Sequence, residues 1–266
     1  MRVVKIGGSL LTNKSGYCEI DEASVLAIGR QLAELSGPSA LNGLVLVIGG
    51  GSFGNGIPRR HGLDRPDSLD VRDVSRMTLG MFELMAGLIH VWRELGIAAY
   101  PVQASAVVHP VGDWFRIDAG TISRLCERNI IPVVTGDLIP SAHWPILSSD
   151  WIPVLIANEC AVSSVAYLTD VEGVFEIEEG GAPPKLIKQV FQGDASRVLE
   201  LAGASRQADV TGGMRTKVEA ALMLSKMGIP SLICDGRSSN RLRDVVQGVV
   251  SHGTYFVPEI EMDMAS

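Results

Sequence analysis

The 266-residue chain is short of aromatics, which make up 5% of it, has only four cysteines, and carries no excess of positive charge. Each shortage excludes something. Cys18, Cys126, Cys160 and Cys234 form no CxxC pair, so neither a zinc ribbon nor a thioredoxin-type redox motif is available, and a reduced interior is the expected setting. With 23 Lys and Arg against 30 Asp and Glu, the net charge of -7 supplies no basic face to displace phosphate counterions, so nucleic acid is not an expected partner. Small anions can still be captured by local basic clusters. No uncharged stretch has the length of a membrane span. The opening MRVVKIGGSLL sets Lys5 and two glycines where a secretory signal needs an unbroken apolar run, and the expected location is the cytoplasm, away from membranes. The chain contains no Gly-Lys dipeptide, so GxxxxGK[ST] cannot be spelled.

What the chain does have is alternation. Short β-branched runs, apolar on both sides of the pleat, occur at Val3–Ile6, Leu44–Ile48, Ala98–Val102, Ile131–Val134, Ser164–Leu168 and Ser231–Cys234. Amphipathic stretches lie between them: Ile20–Leu35 opening at a capping Asp21, Asp73–Leu95 interrupted by Gly80 and Gly87, Asp118–Arg128, and Gly213–Met227 ending at Gly228 and Pro230. This predicts an α/β fold with a mainly parallel sheet. No linker or repeat divides the chain, and Glu176–Pro184 reads as a surface turn or hairpin.

Three glycine-rich segments adjoin these elements: Gly7-Gly8-Ser9, Gly49-Gly50-Gly51-Ser52-Phe53-Gly54, and Thr211-Gly212-Gly213. At the carboxyl ends of parallel strands such segments let backbone amides approach an anion, with the next helix offering its positive end. Each is equally consistent with a tight turn. Residues 49–54 also spell GxGxxG, but the acidic residue that a dinucleotide site needs at the next strand end falls in the polar run Arg65–Asp73.

Taken in order, VKIGGSL (4–10) with Lys14, VIGGGSFG (47–54), IPVVTGD (131–137), SSD (148–150), LTDVEGVF (168–175) and DVTGGMRTK (209–217) resemble the amino acid kinase superfamily, within it the fosfomycin kinase and isopentenyl phosphate kinase branch. The resemblance implies an αβα sandwich, a homodimer, and transfer of the γ-phosphoryl group of ATP, with Mg2+, to a small phosphonate or phosphate monoester, forming a phosphoanhydride. It further implies one amino acid kinase domain over 1–266, with residues 1–160 forming an acceptor-binding lobe and 161–266 a nucleotide-binding lobe.

By the family pattern, Lys5 and Lys217 would contact the β- and γ-phosphates, Lys14 would add a third cation, and Asp150 would hold the two principal lysines in register. Gly7, Gly8, Ser9, Gly212 and Gly213 would donate amides to the ATP phosphates. Thr169, Asp170 and Gly173 would lie along the nucleotide, Asp170 near the ribose. Gly50, Gly51, Ser52 and Gly54 would cradle the acceptor, with Ser148 and Ser149 opposite. Magnesium would take water and phosphate oxygens, so no residue is assigned to it. An acceptor that is already ionised needs no general base.

Plainer readings remain beside these. Asp150 is equally a helix cap, Lys14 a solvated loop residue, and the Arg59-Arg60-His61 cluster a solvated loop. His90 reads as core, and the tryptophans as packing residues, with Trp144 and Trp151 also placed to line an acceptor pocket. Where this branch usually has a histidine after SFG, this chain has Asn55, which donates a neutral hydrogen bond but carries no charge. Either Arg59, Arg60 or His61 supplies the missing cation, or the acceptor is a different one, or turnover is weak. Fosfomycin-kinase-like activity is the leading expectation, isopentenyl phosphate kinase the alternative, and a non-catalytic nucleotide sensor or storage protein the rival from another class.

Overall fold

Strands buried on both faces must be covered on both, and the fold follows from that requirement. The computed structural model describes residues 1–13, 15–35, 41–63, 70–141, 143–176, 183–203, 213–249 and 252–259. The chain begins with β1 (Arg2–Ile6), α1 (Glu22–Glu34), β2 (Leu44–Ile48), α2 (Gly51–His61) and α3 (Val71–Glu94). It continues through β3 (Ala99–Val102), α4 (Ala104–Val107), the hairpin β4 (Val108–Val111) and β5 (Trp114–Ile117), α5 (Gly120–Glu127) and β6 (Ile131–Thr135). A second hairpin, β7 (Asp137–Leu138) and β8 (Ile146–Leu147), leads into α6 (Ile152–Glu159) and β9 (Ser164–Thr169). The remainder comprises β10 (Phe175–Glu176), β11 (Lys185–Leu186), β12 (Gln189–Val190), α7 (Ala195–Gly203), α8 (Gly213–Lys226), β13 (Ser231–Asp235), α9 (Arg241–Gln247) and β14 (Thr254–Phe256).

One eight-stranded sheet runs in the order β12-β14-β13-β9-β1-β2-β6-β3. Its six strands from β13 to β3 are parallel, and only the β13–β14 pairing is antiparallel. Val3, Val45, Val47, Val165 and Tyr167 point into a core shared with α5, α6, α7 and α8. Val4, Ile6, Leu44, Leu46 and Leu168 point into the opposite core, shared with α1, α2, α3 and α9. The result is an αβα sandwich. No helix among the described residues is long and apolar enough to cross a membrane.

The six expected strands and four expected helices are present, shifted by a residue or two at their ends. Asp21 caps α1, accepting from the Ser24 N–H at 3.1 Å. The expected turn around 176–184 is flanked by the antiparallel pair β10–β11, while residues 177–182 lie outside the described set. The main departure is α2. Its glycines disfavour a helix locally, yet it forms by packing on α3, where a Cβ at Gly80 would stand 2.2 Å from Ile57 Cδ1. Arg59, Arg60 and His61 are therefore the last turn of a helix, not a solvated loop. His90 is exposed on α3, because Leu84, Leu88 and Trp92 define the buried stripe and His90 falls outside it.

Candidate active site

Because the six strands are parallel, their carboxyl ends share one edge, and the loops that follow β1 and β2 lie side by side. The contact between them is backbone on backbone. A Cβ on Gly8 would stand 2.0 Å from Gly51 N, and Gly51 itself has φ +51. Thr12 fastens the pair: its Oγ1 donates to Gly8 O and accepts from the Ser52 N–H, both at 2.9 Å. Gly7 N–H donates to Leu168 O at 2.8 Å, tying the same loop to β9.

Lys5, near the end of β1, is 3% exposed, and its Nζ lies 2.7 Å from Asp150 Oδ1. Lys217 stands one turn into α8, with Nζ 3.2 Å from Asp150 Oδ2 and a second hydrogen bond donated to Gly213 O at 3.2 Å. One carboxylate thus holds two ammonium groups that the chain brings from opposite ends of its sequence. Asp150 is 2% exposed, and Tyr167 OH donates to its carbonyl at 3.2 Å from β9. The helix-cap reading does not hold for Asp150, since its carboxylate is engaged by the lysines and Trp151 occupies the N-cap of α6.

Burial alone would push the Asp150 carboxyl up, but Lys217 and Lys5 together outweigh it and hold it below the usual carboxylate range. A depressed folded pKa means that unfolding takes up a proton as the solution is acidified. The stabilisation from this bridge is therefore complete above about pH 4, the ordinary carboxylate value, and drains as pH falls through the folded value. In urea unfolding between pH 6 and pH 2.5, wild type should lose stability more steeply below pH 4 than Asp150→Asn. Parallel profiles would remove the bridge from the stability account.

These groups face a cleft of about 520 Å³. On the β1 side it is lined by Lys5, Gly7, Gly8 and Ser9, and on the β2 side by Gly50, Gly51, Ser52, Gly54 and Asn55. Ser148, Ser149 and Asp150 face them, with Thr169, Asp170, Gly213 and Lys217 completing the lining from the second half of the chain. Gly173 is not among the lining residues; a Cβ there would meet Thr254 Oγ1 at 2.5 Å, so its closeness is to β14. Lys14 and Gly212 lie outside the described residues. A larger hollow of about 640 Å³ lies at the opposite ends of the strands, near Arg2, Ser164 and Ser231, and takes in neither lysine of the bridge.

Asn55 and Arg59, one helical turn apart on α2, both line the cleft. Arg60 instead lies over the Tyr17 ring at 4.6 Å, and His61 Nδ1 is 3.7 Å from Asp73. Of the three candidate cations, Arg59 alone is a lining residue. Trp144 and Trp151 are not; Trp151 packs edge-on against Trp114 with centroids 4.9 Å apart. Among the described residues no group of three or more His, Cys, Asp or Glu is placed to hold a metal ion.

Gly136, Met214 and Thr12 also line the cleft, and Tyr167 backs Asp150, with little in the sequence to single them out. Thr12 carries the connection between the two glycine loops, and the only signal for it is a polar residue just after an apolar run. Tyr167 is a hydroxyl inside the otherwise apolar strand SVAYLT.

A buried one-carboxylate, two-ammonium cluster retains net positive charge, and glycine amides surround it at the strand ends. That arrangement suits a polyphosphate and the charge that develops as a phosphoryl group moves. Such a fold and site define a small-molecule kinase. The sequence profile of the Amino acid kinase family matches residues 1–235, and the chain belongs to that family. It is similar to an isopentenyl phosphate kinase of Methanocaldococcus jannaschii, 26% identical over 267 residues that cover 94% of this chain and 96% of that protein. A glutamate 5-kinase of Vibrio vulnificus is 30% identical over 263 residues, covering 96% of this chain and 66% of the relative. Among solved structures, an isopentenyl phosphate kinase superposes with a TM-score of 0.77 at 20% identity, over 96% of this chain and 99% of that one.

Proposed function

We propose that the chain is an ATP-dependent kinase of a small phosphate monoester, with isopentenyl phosphate or a close isoprenyl relative as acceptor. The observation that carries the proposal is the Lys5–Asp150–Lys217 bridge in a cleft whose lining also takes in the apolar Met77, Met81, Ile146 and Leu147. An apolar slot suits a branched hydrocarbon tail better than a compact epoxide, and the isopentenyl phosphate kinase relatives favour the same choice over the fosfomycin-type acceptor. In this reading residues 1–160 bind the acceptor and 161–266 the nucleotide.

The triphosphate enters between Lys5 and Lys217, with amides of Gly8, Ser9 and Gly213 around its oxygens; the Gly7 amide, expected to join them, is instead committed to Leu168 O. Magnesium carried in with the nucleotide would supply further neutralisation of phosphate charge. Asp150 is committed to the two lysines and is not a free ligand for it. The acceptor's ionised oxygen attacks the γ-phosphorus in line, the bond to the β,γ-bridging oxygen breaks, and ADP leaves with that electron pair. Exposed Leu79 and Phe82 on α3 support a homodimeric state.

ADP release measured across isoprenyl phosphates, phosphonates and amino acids tests the acceptor class. Turnover with isopentenyl phosphate supports the proposal, and activity confined to carboxylate acceptors defeats it. Asn55→His should raise kcat/KM for dianionic acceptors by about tenfold, roughly 1.4 kcal/mol, with the gain larger at pH 6 than at pH 8 because imidazole is charged only below about 6.5. Arg59→Met should lower it comparably. If neither substitution alters acceptor kinetics, the helix α2 face is not where the acceptor's charge sits.

A further inference from the structure

Asp137, the last residue of the run IPVVTGD, is 1% exposed and takes no part in the lysine bridge. Its carboxylate accepts from Thr78 Oγ1 at 2.9 Å, from Ser105 Oγ at 2.6 Å, and from the Leu138 N–H at 2.8 Å. Gln103 Nε2 donates to Ser105 Oγ at 2.8 Å, which leaves the Ser105 proton to point at the carboxylate. All these partners are neutral. The three direct donors come from α3, α4 and β7, so a single buried carboxyl group joins three elements.

The place of this junction gives it meaning. Thr78 follows Met77, which with Met81 forms the α3 wall of the cleft. Leu138, the residue after Asp137, pairs across β7–β8 with Ile146, which lines the cleft on the β8 side. The carboxylate therefore stands behind both apolar walls at once. Apolar packing is non-directional and would allow α3 to settle at several registers along the sheet. A buried carboxyl group is not so tolerant, because losing any donor leaves a desolvated polar group under-satisfied.

We propose that Asp137, acting through Thr78 and Ser105, is a positioning residue that fixes the separation of the two apolar walls and so the fit of the acceptor's tail. This inference rests on the reading that the tail lies between those walls. The groups read as holding the nucleotide come from β1 and its loop, β9 and α8, none of which supplies any of the three donors to Asp137, so the effect is expected on the acceptor.

The test is steady-state kinetics of Thr78→Val, which keeps shape and removes the donor, with isopentenyl phosphate as acceptor. The KM for the acceptor should rise about fivefold, the scale of one lost hydrogen bond, while kcat should change less and the KM for ATP should stay within about twofold. Thr78→Ser restores the wild-type values. Ser105→Ala, which removes the other side-chain donor, shows the same split and serves if Thr78→Val folds poorly. A fall in thermal midpoint with both KM values unchanged, or with both rising together, overturns the inference while leaving the acceptor reading intact. A wild type that phosphorylates no monoester overturns the acceptor reading and this inference with it.

Discussion

Lys217→Met lowers kcat by about two to three orders of magnitude. A unit charge about 4 Å from a phosphate oxygen is worth about 4 kcal/mol at an effective dielectric near 20, and each 1.4 kcal/mol or so is a factor of ten in rate. Methionine fills a similar volume without charge, and Asp150 keeps Lys5 at 2.7 Å, so the substitution isolates the missing ammonium. The loss falls mainly on kcat, because the transferring group carries more charge on its equatorial oxygens in the transition state than the bound nucleotide does in the ground state. Single-turnover transfer from labelled ATP measures it directly. If wild type and Lys217→Met bind ATP equally tightly and neither transfers to any acceptor, the protein is a nucleotide sensor and not a kinase.

Gly8→Ala is the second large effect, and it acts without touching a charge. The added methyl would sit 2.0 Å from Gly51 N and 2.4 Å from Gly51 Cα, both backbone atoms that cannot rotate away. One of the two glycine loops must shift. Overpacking of this kind costs about 1–3 kcal/mol in stability, and a displacement of about 1 Å at a reacting centre costs about a hundredfold in rate. The expected result is a fall in kcat/KM of about two orders of magnitude together with a lower thermal midpoint. Gly193→Ala, where an added Cβ meets nothing within 4 Å, should match wild type in both. Wild-type kinetics in Gly8→Ala would mean that the loops do not hold the reacting groups.

The strands of this sheet are legible because burial on both faces forces continuous apolar runs such as LVLVI at 44–48. Lys5 stands out within one such run, and a lysine that the fold buries at 3% needs an anionic partner. Its partner was harder to see. Asp150 lies between Ser149 and Trp151, where local pattern fits a helix cap as well as an ion bridge, and only the three-dimensional meeting of β1, α6 and α8 decides between them. Helix α2 was illegible for a related reason: local propensity argues against it, and the contacts that override propensity lie on α3 and in the β1 loop. The same applies to Thr12 and Asp137, whose roles consist of hydrogen bonds to residues distant in sequence. Asn55 was legible as a missing charge, but that Arg59 and not Arg60 or His61 shares its cleft depends on helical phase.

A crystal structure with a non-hydrolysable ATP analogue measures the central claim most directly. Both ammonium nitrogens, Lys5 Nζ and Lys217 Nζ, should lie within about 3.2 Å of β- or γ-phosphate oxygens, the reach of a charged hydrogen bond, with Asp150 still between them. A triphosphate bound elsewhere, with both lysines in contact only with Asp150, would contradict it.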